Sequence, residues 1–242
     1  MKGPLTETFK CASGEIELVD YSETVPIQYQ EGKAEFLGLE IAVDERVLIP
    51  RPETEVLVKQ VADQLKRSLK KSSLMLDLCT GSGAIALGVA SLLEDVRVIA
   101  SDVSEEALSV AADNVRRHGM EERVELVQAD MFDGVGDHKG AFDCIVSNPP
   151  YISDKDYDAL DAWVKAEPKL ALHAGDTGMD AINVIAREGI EFLKDGGFMA
   201  VEIGYDQKDL VLESFKSGGF KNIEFFKDHN GFDRVIIGWK NG

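Results

Sequence analysis

Cysteine is scarce in this 242-residue chain: Cys11, Cys79 and Cys144 are the whole supply. Three thiols spread this widely make no disulfide framework and suit a reducing compartment. No Cys-x-x-Cys pair occurs, and His118, His138, His173 and His229 lie far apart in sequence. No metal site is expected. Positive charge is also short. Lys and Arg number 26 against 44 Asp and Glu, a formal net charge of −18. A field of that sign repels a polyanion, so direct contact with nucleic acid is not expected. No apolar run approaches the roughly 20 residues that span a bilayer. The opening MKGPLTETFK lacks the apolar stretch of a secretory signal. Together these absences predict a soluble, cytoplasmic protein, free of membrane and metal. Repeats and low-complexity tracts are missing too.

What is present is enough apolar residue, 44%, for one sizeable core. Residues 1–25 show weak periodicity and receive no assignment. From Lys33 to Ile49, two apolar runs flank Asp44–Glu45, which reads as a β-hairpin or two short strands. Pro52, Glu53 and Glu55 then suit the start of a helix whose buried stripe is Val56, Leu57, Val61 and Leu65. Beyond it, strands at 74–79, 96–102, 123–130, 142–150 and 197–204 alternate with helices at 84–93, 104–119, 177–194 and 206–219. Residues 151–176 read as irregular. Runs at 221–228 and 233–240 close the chain as a hairpin. The short, continuously apolar strands predict a sheet covered by helices on both faces. The fold class is α/β: a doubly wound, mostly parallel, seven-stranded Rossmann-like sheet with an antiparallel C-terminal edge.

Two segments carry chemistry. The first is Asp77-Leu78-Cys79-Thr80-Gly81-Ser82-Gly83, where the first parallel strand turns into a helix. Gly81 and Gly83 let backbone approach a ligand closely, and the helix N-terminus favours a carboxylate or phosphate. Asp102, at the end of the next strand, is placed to accept the ribose hydroxyls of an adenosine. Gly81-x-Gly83-x-x-Ala86 also satisfies a dinucleotide fingerprint, so NAD is an alternative. Asp77 favours S-adenosylmethionine, whose ammonium group it could meet. The second segment is Asn148-Pro149-Pro150-Tyr151 at the end of the fourth parallel strand. Two prolines fix φ and remove two N–H donors, leaving carbonyls free to accept. Asn148 adds an acceptor and a donor, and Tyr151 a ring for stacking on a planar amide or base.

Asn-Pro-Pro-Tyr in this place resembles the motif of class I methyltransferases that modify planar nitrogens. PIQYQEG (26–32), EFLGLEIAV (35–43), VLIPRPETEVLV (47–58), EPKLAL (167–172), AGDTGMD (174–180) and GFDRVIIG (231–238) narrow the resemblance to the protein-(glutamine-N5) methyltransferase family. It extends over residues 26–242. It implies S-adenosylmethionine as cofactor, held by Asp77, Cys79, Thr80, Gly81, Ser82, Gly83, Asp102, Asp130, Met131 and Asn148. It implies a catalytic and acceptor-binding set of Asn148, Pro149, Pro150 and Tyr151, with Arg51, Thr54 and Glu55 at the entrance. The implied partner is a peptide-chain release factor, methylated on its Gly-Gly-Gln glutamine, and the implied state is a monomer. The implied division is a shortened front segment 1–25, a hairpin connector 26–50 and a catalytic domain 51–242. Cys79 stands where glycine is commoner, and Cys-Thr-Gly-Ser-Gly also resembles a branch that methylates ribosomal protein L3. Met131 stands where an aromatic is more usual. The alternatives are therefore L3 glutamine, or an amino group of a nucleic-acid base, adenine N6 or guanine N2. Trp163 and Trp239 are expected to be packing residues, and His173 a loop residue with a satisfied ring.

Overall fold

The computed structural model describes residues 25–68 and 72–241. The front segment expected at 1–25 therefore lies, apart from Val25, outside the described residues, as does Cys11. Pro26 opens a single helical turn, α1 (Ile27–Glu31), which Gly32 ends at φ 71°. Strands β1 (Lys33–Phe36) and β2 (Leu39–Ala42) follow as an antiparallel pair with Phe36 opposite Leu39. Their two-residue connection puts Leu37 at φ 51° and Gly38 at φ 76°, the backbone signs that match the twist of a tight hairpin. The hairpin thus closes inside the first apolar run, and this corrects the expectation that it turns at Asp44–Glu45. Asp44 makes its own local turn instead, its carboxylate taking the Arg46 N–H and guanidinium. The second run forms no strand, and its Val47 and Ile49 are buried.

Helix α2 (Thr54–Arg67) buries Val56, Leu57, Val61 and Leu65, the expected stripe. The alternation then runs β3 (Ser73–Leu78), α3 (Ala84–Leu92), β4 (Val96–Asp102), α4 (Glu105–Arg117), β5 (Val124–Gln128) and β6 (Phe142–Ser147). The stretch read as irregular holds three short helices, α5 (Asp154–Ala159), α6 (Ala162–Lys165) and α7 (Lys169–Leu172). The chain closes with α8 (Asp180–Phe192), β7 (Leu193–Glu202), α9 (Lys208–Ser217), β8 (Lys221–Lys227) and β9 (Asp233–Trp239). Ser104 caps α4, its side chain accepting from the Ala107 N–H at 3.1 Å.

Seven strands make one sheet in the order β5-β4-β3-β6-β7-β9-β8. The first five run parallel and β9 joins β7 antiparallel, as expected for the edge. Helices on both faces cover two separate cores. The first includes the hairpin: Gly88 of α3 lets Phe36, Leu37 and Val58 close in, since a Cβ there would lie 3.1–3.3 Å from them. Strand order reverses between β3 and β6, which bond directly. Chain connections leave that point in opposite directions, so a crevice opens at the carboxyl ends of these two strands.

Candidate active site at the strand-order switch

Residues 79–83 leave β3 along a path that requires the left-handed region three times: Cys79 at φ 59°, Gly81 at φ 53° and Gly83 at φ 82°. Glycine adopts this conformation freely, whereas at Cys79 it must be over-determined by its surroundings. The bracing comes from buried polar groups. The Thr80 N–H donates to the Ser101 carbonyl at 2.9 Å. The Thr80 hydroxyl donates to Asp77 Oδ2 at 2.6 Å, and the Ala86 N–H reaches the same oxygen at 3.2 Å. Asp102 accepts from the Gly81 N–H on Oδ2 at 2.9 Å and from the Ser104 N–H on Oδ1 at 3.0 Å. Asn114, fully buried on α4, donates to the Ser82 and Ala42 carbonyls and so ties the loop to the hairpin.

The loop borders a cavity of ≈ 980 Å³, measured out to its open mouth. Of the residues expected to hold the cofactor, Cys79, Thr80, Gly81, Ser82, Asp102, Asp130, Met131 and Asn148 line it. Asp77 and Gly83 do not; both stand behind the loop and shape it. Burial pushes the Cys79 thiol up to about 12, helped by the nearby Asp102 charge, so it is a neutral packing group and no nucleophile. Each Asp102 oxygen keeps a lone pair after its N–H bond, enough for two ribose hydroxyls. Ile85, Val103 and Met131 supply apolar wall. The Asp102 acceptors and this apolar wall fit an adenosine.

Asn148 follows β6, which the Ser147 hydroxyl clamps to β3 through the Leu78 carbonyl at 2.8 Å. The Asn148 Nδ2 donates to the Thr54 hydroxyl at 3.3 Å. A second cavity, of ≈ 930 Å³, lies beyond, lined by Arg51, Tyr151, Trp163, Glu202 and Arg234 among others. Asn148 lines both cavities. Pro150 lines the first and Tyr151 the second, while Pro149 is buried beside them. The expected entrance residues separate: Thr54 faces the first cavity and Arg51 the second. Glu55 turns away, accepting from the Leu37 N–H and pairing with Lys59.

A family model, the methyltransferase small domain, matches residues 52–175. The release factor glutamine methyltransferase of Clostridium acetobutylicum is 38% identical over 219 residues, covering 90% of this chain and 76% of that protein. The chain belongs to the release factor glutamine methyltransferase family. The family's methyl donor is S-adenosylmethionine. The ribosomal protein uL3 glutamine methyltransferase of Francisella tularensis is 38% identical over 186 residues, 77% of this chain and 59% of that protein. A methyltransferase structure from Pyrococcus furiosus superposes with a TM-score of 0.62 at 22% identity, covering 85% of this chain and 90% of that one, a likeness of fold.

Several residues that shape this methyltransferase site carried no role in the sequence reading. Glu167 is buried; it accepts from the Ile49 N–H at 3.0 Å and forms an ion pair with Arg51, whose guanidinium lies 5.8 Å from the Trp163 ring centroid. Trp163 is therefore a half-exposed cavity rim, and this corrects its expected packing role. His173 does have a satisfied ring, 2.5 Å from Asp154. Gln207 holds the Tyr151 and Gly178 carbonyls with its amide nitrogen. Glu202, fully buried, accepts from the Tyr151 hydroxyl at 3.4 Å, and burial pushes its carboxyl up to about 7. Among the described residues no His, Cys, Asp and Glu group could hold a metal, and no helix is long and apolar enough to cross a membrane.

Two stability predictions follow from these buried acids. Glu167→Ala leaves the Ile49 N–H and a mostly covered guanidinium unpaired, and should cost about 2–3 kcal/mol, read from urea unfolding. The Asp77 carboxyl has one oxygen, Oδ1, buried without a partner, and burial pushes it from 3.8 up to about 7. Folded protein then keeps a proton that the unfolded chain has released, so stability is full below the unfolded value and falls as pH rises through about 4 to 7. Asp77→Asn should flatten that slope in unfolding midpoints measured across the range. An unchanged slope would remove Asp77 as its source.

Proposed function

We propose that this enzyme transfers a methyl group from S-adenosylmethionine to the side-chain nitrogen of a protein glutamine, and that the acceptor is the Gly-Gly-Gln glutamine of a peptide-chain release factor. The observation that carries the reading is the place of Asn148 on the wall shared by two cavities, one bordered by the glycine loop and Asp102, the other by Tyr151 and Arg51. Family membership supports it.

A carboxamide nitrogen is a poor nucleophile because its lone pair is delocalised into the carbonyl. The chain's task is therefore orientation. Asn148 Oδ1 and the Pro149 carbonyl accept the two N–H bonds of the acceptor amide and turn its nitrogen toward the first cavity. Tyr151 covers the flat face of the amide. Cys79 to Ser82, Asp102, Asp130 and Met131 hold the cofactor, with Asp102 on the ribose and Met131 against the adenine. Bound S-adenosylmethionine supplies an electrophilic methyl on a sulfonium cation. Held geometry then replaces a chance encounter, and aimed acceptors favour the lone-pair density that develops on nitrogen. No strong base is needed, since the alkylated nitrogen is acidic and sheds its proton.

The acidic chain favours a basic protein partner over nucleic acid, and we place the reaction in the cytoplasm on a monomer. The second reading, ribosomal protein L3 as acceptor, is favoured by Cys79-Thr80-Gly81-Ser82-Gly83 and by the Francisella relative. Initial rates of labelled-methyl transfer to release factor, L3, DNA and RNA decide between them. The expected order places release factor first and leaves both nucleic acids unlabelled. A faster rate on L3 transfers the assignment.

A further inference from the structure

Glu202 has no part in the transfer as described, yet it sits at its centre. It ends β7 with 1% of its surface exposed. Its Oε1 accepts from the Tyr151 hydroxyl, and its Oε2 is buried with no hydrogen-bond partner. An unsatisfied buried carboxylate oxygen is costly, so a donor close by is expected to turn toward it. Helix α2, which opens at Thr54, packs on β7, and this brings the Thr54 hydroxyl near the carboxylate, although no hydrogen bond joins the two in the structure. Thr54 is itself buried, and its hydroxyl oxygen is the atom that accepts from Asn148 Nδ2 at 3.3 Å.

A hydroxyl has one hydrogen to give. If Thr54 gives it to Glu202, it meets Asn148 as an acceptor alone. The Asn148 amide must then present Nδ2 to Thr54 and Oδ1 to the opposite side. If Thr54 instead gave its hydrogen to Asn148, the amide would flip and present NH₂ to the NH₂ of the acceptor, two donors facing each other. We propose that Glu202 is a positioning residue that, through the Thr54 hydroxyl, holds Asn148 with Oδ1 presented to the acceptor nitrogen. The inference rests on Asn148 being the group that binds the acceptor amide.

Glu202→Gln is the decisive variant because it keeps size and shape. Its new NH₂ group donates where the carboxylate accepted, which releases the Thr54 hydrogen toward Asn148. Thr54→Val removes the relay at constant volume, and Thr54→Ser keeps it. Two readouts are needed. The first is hydrogen exchange of the Asn148 side-chain NH₂ by nitrogen-15 NMR, which requires no acceptor. The second is kcat and KM for methyl transfer to the glutamine substrate. In Glu202→Gln and Thr54→Val, exchange should quicken at least about tenfold, and kcat should fall at least about tenfold with KM within about threefold. Thr54→Ser, which keeps the hydroxyl, should recover both readouts relative to Thr54→Val. The double variant Glu202→Gln/Thr54→Val should be no slower than Thr54→Val alone, the non-additivity of one shared chain. Unchanged Asn148 exchange in both single variants, or losses in kcat that multiply in the double, would overturn the proposal. If exchange responds as expected and the unaltered enzyme methylates no glutamine, the positioning stands and the substrate reading fails.

Discussion

Replacing Asn148 by alanine lowers kcat for methyl transfer by about three orders of magnitude, while the affinity for S-adenosylmethionine changes less than about threefold. The asymmetry follows from where the side chain stands. Asn148 lies on the wall between the two cavities, and its one observed side-chain hydrogen bond runs to Thr54. On the proposed mechanism, truncation removes one of the two acceptors that orient the amide nitrogen and leaves the Pro149 carbonyl as the other. The nitrogen then rotates about that single bond and loses its alignment. The glycine loop, meanwhile, is braced by Asp77, Asp102 and Asn114, none of which depends on Asn148. Single-turnover rates with saturating cofactor, beside calorimetry of cofactor binding, separate the two effects. Asn148→Asp is the informative control. It restores an oxygen but gives up the Nδ2 donor to Thr54 and adds a second carboxylate to the cavity that Asp102 lines, so only a small part of the rate should return.

The second large effect is opposite in kind. Asp102→Ala weakens cofactor binding by about two orders of magnitude, with kcat recovering substantially at saturating cofactor. Charge-assisted hydrogen bonds are worth about 1.5–3 kcal/mol each, and two backbone donors, the N–H groups of Gly81 and Ser104, lose theirs together. The loop then keeps its braces at Thr80 and Ser82 but loses the one at Gly81, and on the proposed mechanism the ribose loses its acceptor. Asp102→Asn should fall between, because one of its two ends is now an NH₂ group directed at a backbone N–H. A shared loss of kcat and affinity in Asp102→Ala would mean that the loop sets acceptor geometry as well. Calorimetry and kcat at saturation report the two separately.

Much of this site was legible before any coordinates, for a physical reason. Strands β3, β4 and β6 are mainly apolar runs, as sheets covered on both faces require, and each motif stands at the carboxyl end of one of them. Placing Asn148 opposite the glycine loop needed the further condition that β3 and β6 are neighbours, which the strand order meets. The hairpin turn was missed because Leu37 carries no turn signal; a leucine at positive φ is chosen by the packing around it. Helices α5 to α7 were missed because four to six residues are too few to show a period. The buried polar groups were missed for a different reason: their partners are remote. Glu167 meets Ile49 across 118 residues, and Asn114 meets Ala42 across 72. Glu202 did leave a trace, a single acid at the end of the apolar run Phe198-Met199-Ala200-Val201, where a buried charge needs a purpose.

The most direct test of the account is tandem mass spectrometry of a release factor after incubation with the enzyme and S-adenosylmethionine. A single added methyl is expected on the side-chain nitrogen of the Gly-Gly-Gln glutamine, absent when Asn148→Ala replaces the unaltered enzyme. A release factor returned unmethylated, or methylated at any other residue, would contradict it.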